Sequence, residues 1–90
     1  MTFYFEMTDT FGDDLNYSWI ERFSVEAKTP MGALRKVSKE TGYRFRFKKW
    51  IGNSEKLYKA KKACVALYEI SENNFDGTIF DDWKLKTRKL

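Results

Sequence analysis

The sequence predicts an α+β domain: a single four-stranded, mainly antiparallel sheet in the order ββαββ, with one main helix packed on one face and a short C-terminal helical turn. Three observations predict it. Two stretches near the N-terminus and one past the middle alternate apolar and polar residues with a period of two. Between them, residues 30–41 carry a helical period with both ends marked. Finally, 90 residues with 42% hydrophobic and 18% aromatic content suit one domain held by a few large rings.

The first strand spans about 2–8, where Phe3, Phe5 and Met7 alternate with Tyr4, Glu6 and Thr8. Gly12-Asp13-Asp14 supplies a turn, and a second strand at about 17–27 returns with Phe23, Val25 and Ala27 facing the same core. The helix opens at Thr29-Pro30, a capping hydroxyl followed by a residue suited to the first helical position. Ala33, Leu34 and Val37 draw its apolar stripe, and Gly42 stands where a left-handed cap ends it.

The third strand covers 43–51, with Tyr43, Phe45 and Phe47 on one face and Arg44, Arg46, Lys48 and Trp50 on the other. Gly52-Asn53 reads as a two-residue hairpin turn. That turn sets Arg46 opposite Lys59, Arg44 opposite Lys61, Phe47 opposite Tyr58 and Phe45 opposite Ala60. The segment 57–70 admits two readings. Ala63 to Tyr68 is a continuous apolar run suited to a buried strand at about 62–70, whereas Leu57, Ala60, Cys64 and Leu67 also fall at helical spacing. Ile79, Phe80 and Trp83 suggest the short C-terminal helical turn. The domain is expected over 1–83, with 84–90 a basic tail that frays. The expected core joins Phe5, Phe23, Leu34, Val37, Phe45 and Val65.

The residues argue against most enzyme chemistry. There is no histidine, the usual general base and metal ligand, so no catalytic, metal or cofactor residues are assigned. The lone Cys64 sits in an apolar run and is expected buried and inert. Asp13-Asp14 and Asp81-Asp82 are neighbours on turns, whereas paired catalytic carboxylates come from separate elements. One cysteine, no apolar run of membrane-spanning length and no signal-peptide pattern at the N-terminus together predict a complete cytoplasmic chain.

Charge is the informative feature. The net charge of +4 divides into −4 over residues 1–34, +9 over 35–62 and −1 over 63–90. A cationic block of this kind points to an anionic partner, nucleic acid or an acidic protein surface. The predicted binding face is Arg44, Arg46, Lys48 and Trp50, with Lys59 and Lys61 across the hairpin. A second candidate surface is the first hairpin, with Asp13 and Asp14 at its turn and the aromatics Tyr17 and Trp19 beside them.

Asn16-Tyr17-Ser18-Trp19-Ile20 resembles small proteins of tailed phages and mobile elements, and the likeness continues at Lys28-Thr29, Ala33-Leu34-Arg35-Lys36-Val37 and Ala63-Cys64-Val65. The resemblance implies a non-enzymatic interaction protein that binds and inhibits a host protein or protein–nucleic-acid complex, in the manner of anti-defence inhibitors such as anti-CRISPR proteins. Many such inhibitors are acidic mimics of DNA, and the cationic block departs from that type. The alternative expectation is a small nucleic-acid-binding protein using the sheet face around Arg44–Lys48.

Overall fold

Alternation in the first two segments produces a long antiparallel hairpin, β1 (Thr2–Phe11) with β2 (Asp14–Glu26). Phe3 lies opposite Val25 and Phe5 opposite Phe23, so one face of the pair is apolar as the period requires. The computed structural model describes residues 1–11, 14–51, 55–70 and 87–90, and at 11 and 14–19 the backbone only. The expected C-terminal helical turn around Ile79, Phe80 and Trp83 lies outside the described residues.

Helix α1 (Pro30–Thr41) matches its sequence signals at both ends. Thr29 Oγ1 accepts the Gly32 N–H at 3.0 Å, and Gly42, at φ 80°, sends its own N–H to the Ser38 carbonyl at 2.9 Å. Ala33, Leu34 and Val37 are the buried stripe.

After α1 the chain forms β3 (Phe45–Ile51), β4 (Glu55–Ala60) and β5 (Val65–Ile70), and it ends in β6 (Thr87–Lys89). The six strands make one mixed sheet in the order β3-β4-β5-β1-β2-β6. This corrects the expected four-stranded ββαββ sheet in two places. The segment read as one strand or helix over 57–70 is a hairpin, β4 and β5, connected by Lys61–Cys64. The expected frayed tail supplies β6, which pairs parallel with β2. Leu90 donates its N–H to the Ser24 carbonyl at 2.8 Å, and Arg88 donates from Nη1 to Glu21 Oε1 at 2.9 Å and from Nη2 to Glu40 on α1. Three residues are too few to display a period, so tertiary pairing alone makes them a strand.

Following the pairings, β2 and β3 run in the same direction but are separated by β1, β5 and β4. Four inter-strand spacings come to about 19 Å. The 12 residues of α1 rise about 18 Å, so one helix with short flanks carries the chain across the sheet.

Beneath α1, Phe5, Met7, Phe23, Val25, Tyr58, Val65 and Leu67 form the core with Ala33, Leu34 and Val37. Phe45, expected in this core, packs at its margin. The opposite face of the central strands is also buried, at Glu6, Thr8, Arg22, Leu57 and Ala66. Glu6 and Arg22 face each other there as an ion pair, Nε to Oε2 3.3 Å.

Cys64 is exposed, which corrects its expected burial. The apolar run that suggested burial enters the sheet only at Val65. Cys64 therefore belongs to the connection, where its carbonyl accepts the Thr10 N–H at 2.9 Å.

Candidate functional site: the basic edge strand

β3 is an outer strand of the sheet, with β4 as its neighbour in the sheet order. Phe45 pairs with Ala60, Arg46 with Lys59 and Phe47 with Tyr58, and the Lys61 N–H donates to the Arg44 carbonyl at 2.8 Å. These are the pairings the sequence suggested, but they arise differently. Ile51 pairs with Glu55, leaving three residues, 52–54, between the strands where the sequence suggested a two-residue turn. Lys48 is an extra residue with no partner across the ladder, a β-bulge between Phe47 and Lys49. The bulge takes up one residue and restores the register beyond it.

The bulge also moves Trp50. A regular strand would place Trp50 on the face of Arg44 and Arg46, because side chains alternate. Instead Trp50 pairs with Lys56, two residues from Tyr58, and joins the face of Phe47. The Phe47 and Trp50 rings stand edge to face at 6.1 Å, Phe47 meets Tyr58 at 5.9 Å, and Lys56 Nζ lies 5.0 Å from the Trp50 ring centre. Phe47 is 49% exposed and Trp50 55%, so the pair is an open aromatic surface rather than core.

Of the residues expected in the binding face, Arg44, Arg46, Lys48 and Lys61 are exposed and Lys59 is half-buried. Trp50 is exposed but stands on the opposite face from Arg46. Lys49, Lys56, Lys62 and Phe47 belong to the surface without having been singled out. Lys62 owes its place to the β4–β5 connection, which no local pattern announced. Arg44, Lys61 and Lys62 converge with Gly42, Tyr43 and Ala63 on a cleft of about 490 Å³.

One carboxylate, Glu69, steadies the inner side of this surface. Lys56 pairs with Glu69 at 3.8 Å, and the Tyr58 hydroxyl donates to Glu69 Oε1 at 3.4 Å. Burial, then the Glu69 charge and this hydrogen bond, push the Tyr58 hydroxyl up to about 12. Tyr58 therefore stays a neutral donor across the working range of pH.

The second candidate surface is placed only in its backbone. Asp14 pairs with Phe11, and Trp19 pairs with Thr8 beside register irregularities in the hairpin. Asp13 and the side chains of Asp14, Tyr17 and Trp19 lie outside what is described. Among the described residues, no three His, Cys, Asp or Glu side chains gather to hold a metal, and no helix is long and apolar enough to cross a membrane.

No family model matches the chain, and no curated protein or solved structure matches it either. The phage resemblance therefore stands on the quoted residues alone.

Proposed function

We propose that this chain is a non-enzymatic binding protein that holds single-stranded nucleic acid along β3. The observation that carries the reading is the Lys48 bulge, which sets Trp50 beside Phe47 as an exposed aromatic pair on a strand bearing Arg46, Lys48 and Lys49. A single strand wrapped over this outer strand could use both of its faces: bases stack on the rings, where Lys56 also stands, while phosphates follow the cations that Arg46 and Lys49 present on the other face. Duplex would satisfy the cations but leave the rings without bases to stack on. The absence of histidine supports the non-enzymatic part, and the lone cysteine supports a cytoplasmic setting.

The test is fluorescence anisotropy of a labelled single-stranded oligonucleotide across a salt series. Binding should weaken steeply with salt. Trp50→Ala should lose about fivefold or more, from about 1–3 kcal/mol per stacked base. Arg46→Glu should weaken binding and flatten the salt dependence. Absence of binding at low salt, or binding indifferent to both substitutions, refutes the reading.

A second reading, inhibition of a host protein, has its own support. Because the Lys61 N–H bonds to the Arg44 carbonyl, alternation along the ladder turns the backbone groups of Phe45 and Phe47 away from β4, to an edge that no other described strand pairs with. An extended acidic segment of a partner could add a strand there. Capture of a partner that survives nuclease treatment and is lost in Arg46→Glu would favour it.

A further inference from the structure

We propose that the cleft formed by Gly42, Tyr43, Arg44, Lys61, Lys62 and Ala63 is a site for a terminal phosphate group. The ligand is the phosphate monoester at the end of a bound strand or a free phosphate compound. Where the ligand is a strand end, the inference rests on the nucleic-acid reading above; the cleft itself does not.

Four observations converge. First, among the described residues that line it, Arg44, Lys61 and Lys62 are cations and none is a carboxylate. Second, two of those cations stand on paired backbones, since the Lys61 N–H is bonded to the Arg44 carbonyl at 2.8 Å. Like charges opposite one another on a ladder repel, and an anion between them removes the repulsion. A monoester carries nearly twice the charge of an internal phosphodiester, so it gains more from this arrangement.

Third, Lys62 holds a left-handed backbone, φ 61°, and it is the one described non-glycine residue to do so. Glycine would adopt that conformation without strain, yet the position carries a long cation on the cleft wall. Strain retained where a charged side chain lines a cleft is a pointer to a binding role. Fourth, among the described residues the space beside Gly42 is open: a Cβ built there meets nothing within 4 Å. The cleft volume of about 490 Å³ is in the usual range for small-ligand sites.

The position suits a strand end. Arg44 immediately precedes β3, and Trp50 lies six residues farther along, about 20 Å at strand rise. A terminal phosphate held in the cleft would start a strand whose next bases reach Phe47 and Trp50.

The experiment compares one short oligonucleotide in three forms, 5′-phosphorylated, 3′-phosphorylated and unphosphorylated, by anisotropy at fixed ionic strength. Inorganic pyrophosphate is titrated in parallel, with amide chemical shifts as the readout and sulfate as the control anion. One phosphorylated form should bind about 5- to 10-fold tighter than the unphosphorylated strand. Lys62→Gly removes the cation and relaxes the backbone, so it should fold at least as well while abolishing that advantage. Ala63→Glu should do the same by placing a carboxylate in the cleft. If no strand binds in any form, the nucleic-acid reading fails. The cleft then stands if pyrophosphate, and not sulfate, shifts the amides of 42–44 and 61–63 in the wild type but not in Lys62→Gly, which identifies free phosphate as the source. Equal binding of all three strands with no pyrophosphate response at these amides overturns the proposal.

Discussion

Glu6 should make the stability of this protein depend on pH in a range where ordinary glutamates are silent. Its side chain is in the middle of β1, 2% exposed, with Arg22 opposite on β2 and Tyr68 opposite on β5. Burial raises its pKa from 4.5 to about 7, against the pull of the Arg22 guanidinium and with a further push from Glu55. Because the folded value lies above the unfolded one, the folded protein holds this proton more tightly. The resulting stabilisation is fully present below about 4.5 and is lost as pH rises through about 7. At about 1.4 kcal/mol per pH unit, that interval corresponds to roughly 3 kcal/mol. Small domains have about 5–15 kcal/mol in all, so the loss is large enough to measure. The assay is urea denaturation followed by circular dichroism from pH 4.5 to 8.5, on wild type and Glu6→Gln. Glutamine preserves the shape and an acceptor oxygen but cannot ionise. Other groups titrate equally in both proteins, so the difference between the two curves isolates Glu6. Wild type should lose roughly 3 kcal/mol relative to Glu6→Gln as pH rises. A difference that stays constant across the range refutes the reasoning and means that the Arg22 pair keeps Glu6 ionised throughout.

Three further outcomes are expected. Lys62→Gly should raise stability by about 0.5–1 kcal/mol in thermal or urea unfolding, since left-handed backbone costs a side-chain-bearing residue about 1–2 kcal/mol and glycine returns part of that as lost entropy. Cys64 should react rapidly with a thiol reagent in the native state, and Cys64→Ser should change stability by less than about 0.5 kcal/mol; protection until unfolding would contradict its placement in the connection. Deleting Lys48 should regularise β3 while leaving Trp50 opposite Lys56. Oligonucleotide binding should therefore persist with a salt slope lower by about 0.7, the loss of one contact to single-stranded phosphate. Loss of binding with the fold intact would show that the bulge itself shapes the site.

Local chemistry determined α1, its caps and the apolar faces of β1 and β2, because each rests on residues a few positions apart. Thr29 and Gly42 mark the helix by what their own side chain and backbone permit. Phe5 and Phe23 share a face as their alternation requires, but they stand opposite each other only because irregularities between Met7 and Thr10 shift the pairing set at Phe11 and Asp14. The cationic block was equally plain, and the exposed Arg44, Arg46 and Lys48 follow from it. Only the tertiary structure decided the rest. The Lys48 bulge sets the face of Trp50, and nothing in Phe47-Lys48-Lys49-Trp50 distinguishes a bulged strand from a regular one. Glu6 looked like the solvent side of an alternating strand, yet it is buried, because strands on both sides place Arg22 and Tyr68 against it. Residues 87–89 become a strand only because β2 offers an open edge and Glu21 and Glu40 meet Arg88 there. A sequence carries the period of an element, but it does not carry which edge remains open to receive a distant segment. That is settled only when the sheet has assembled and its unpaired backbone groups find partners.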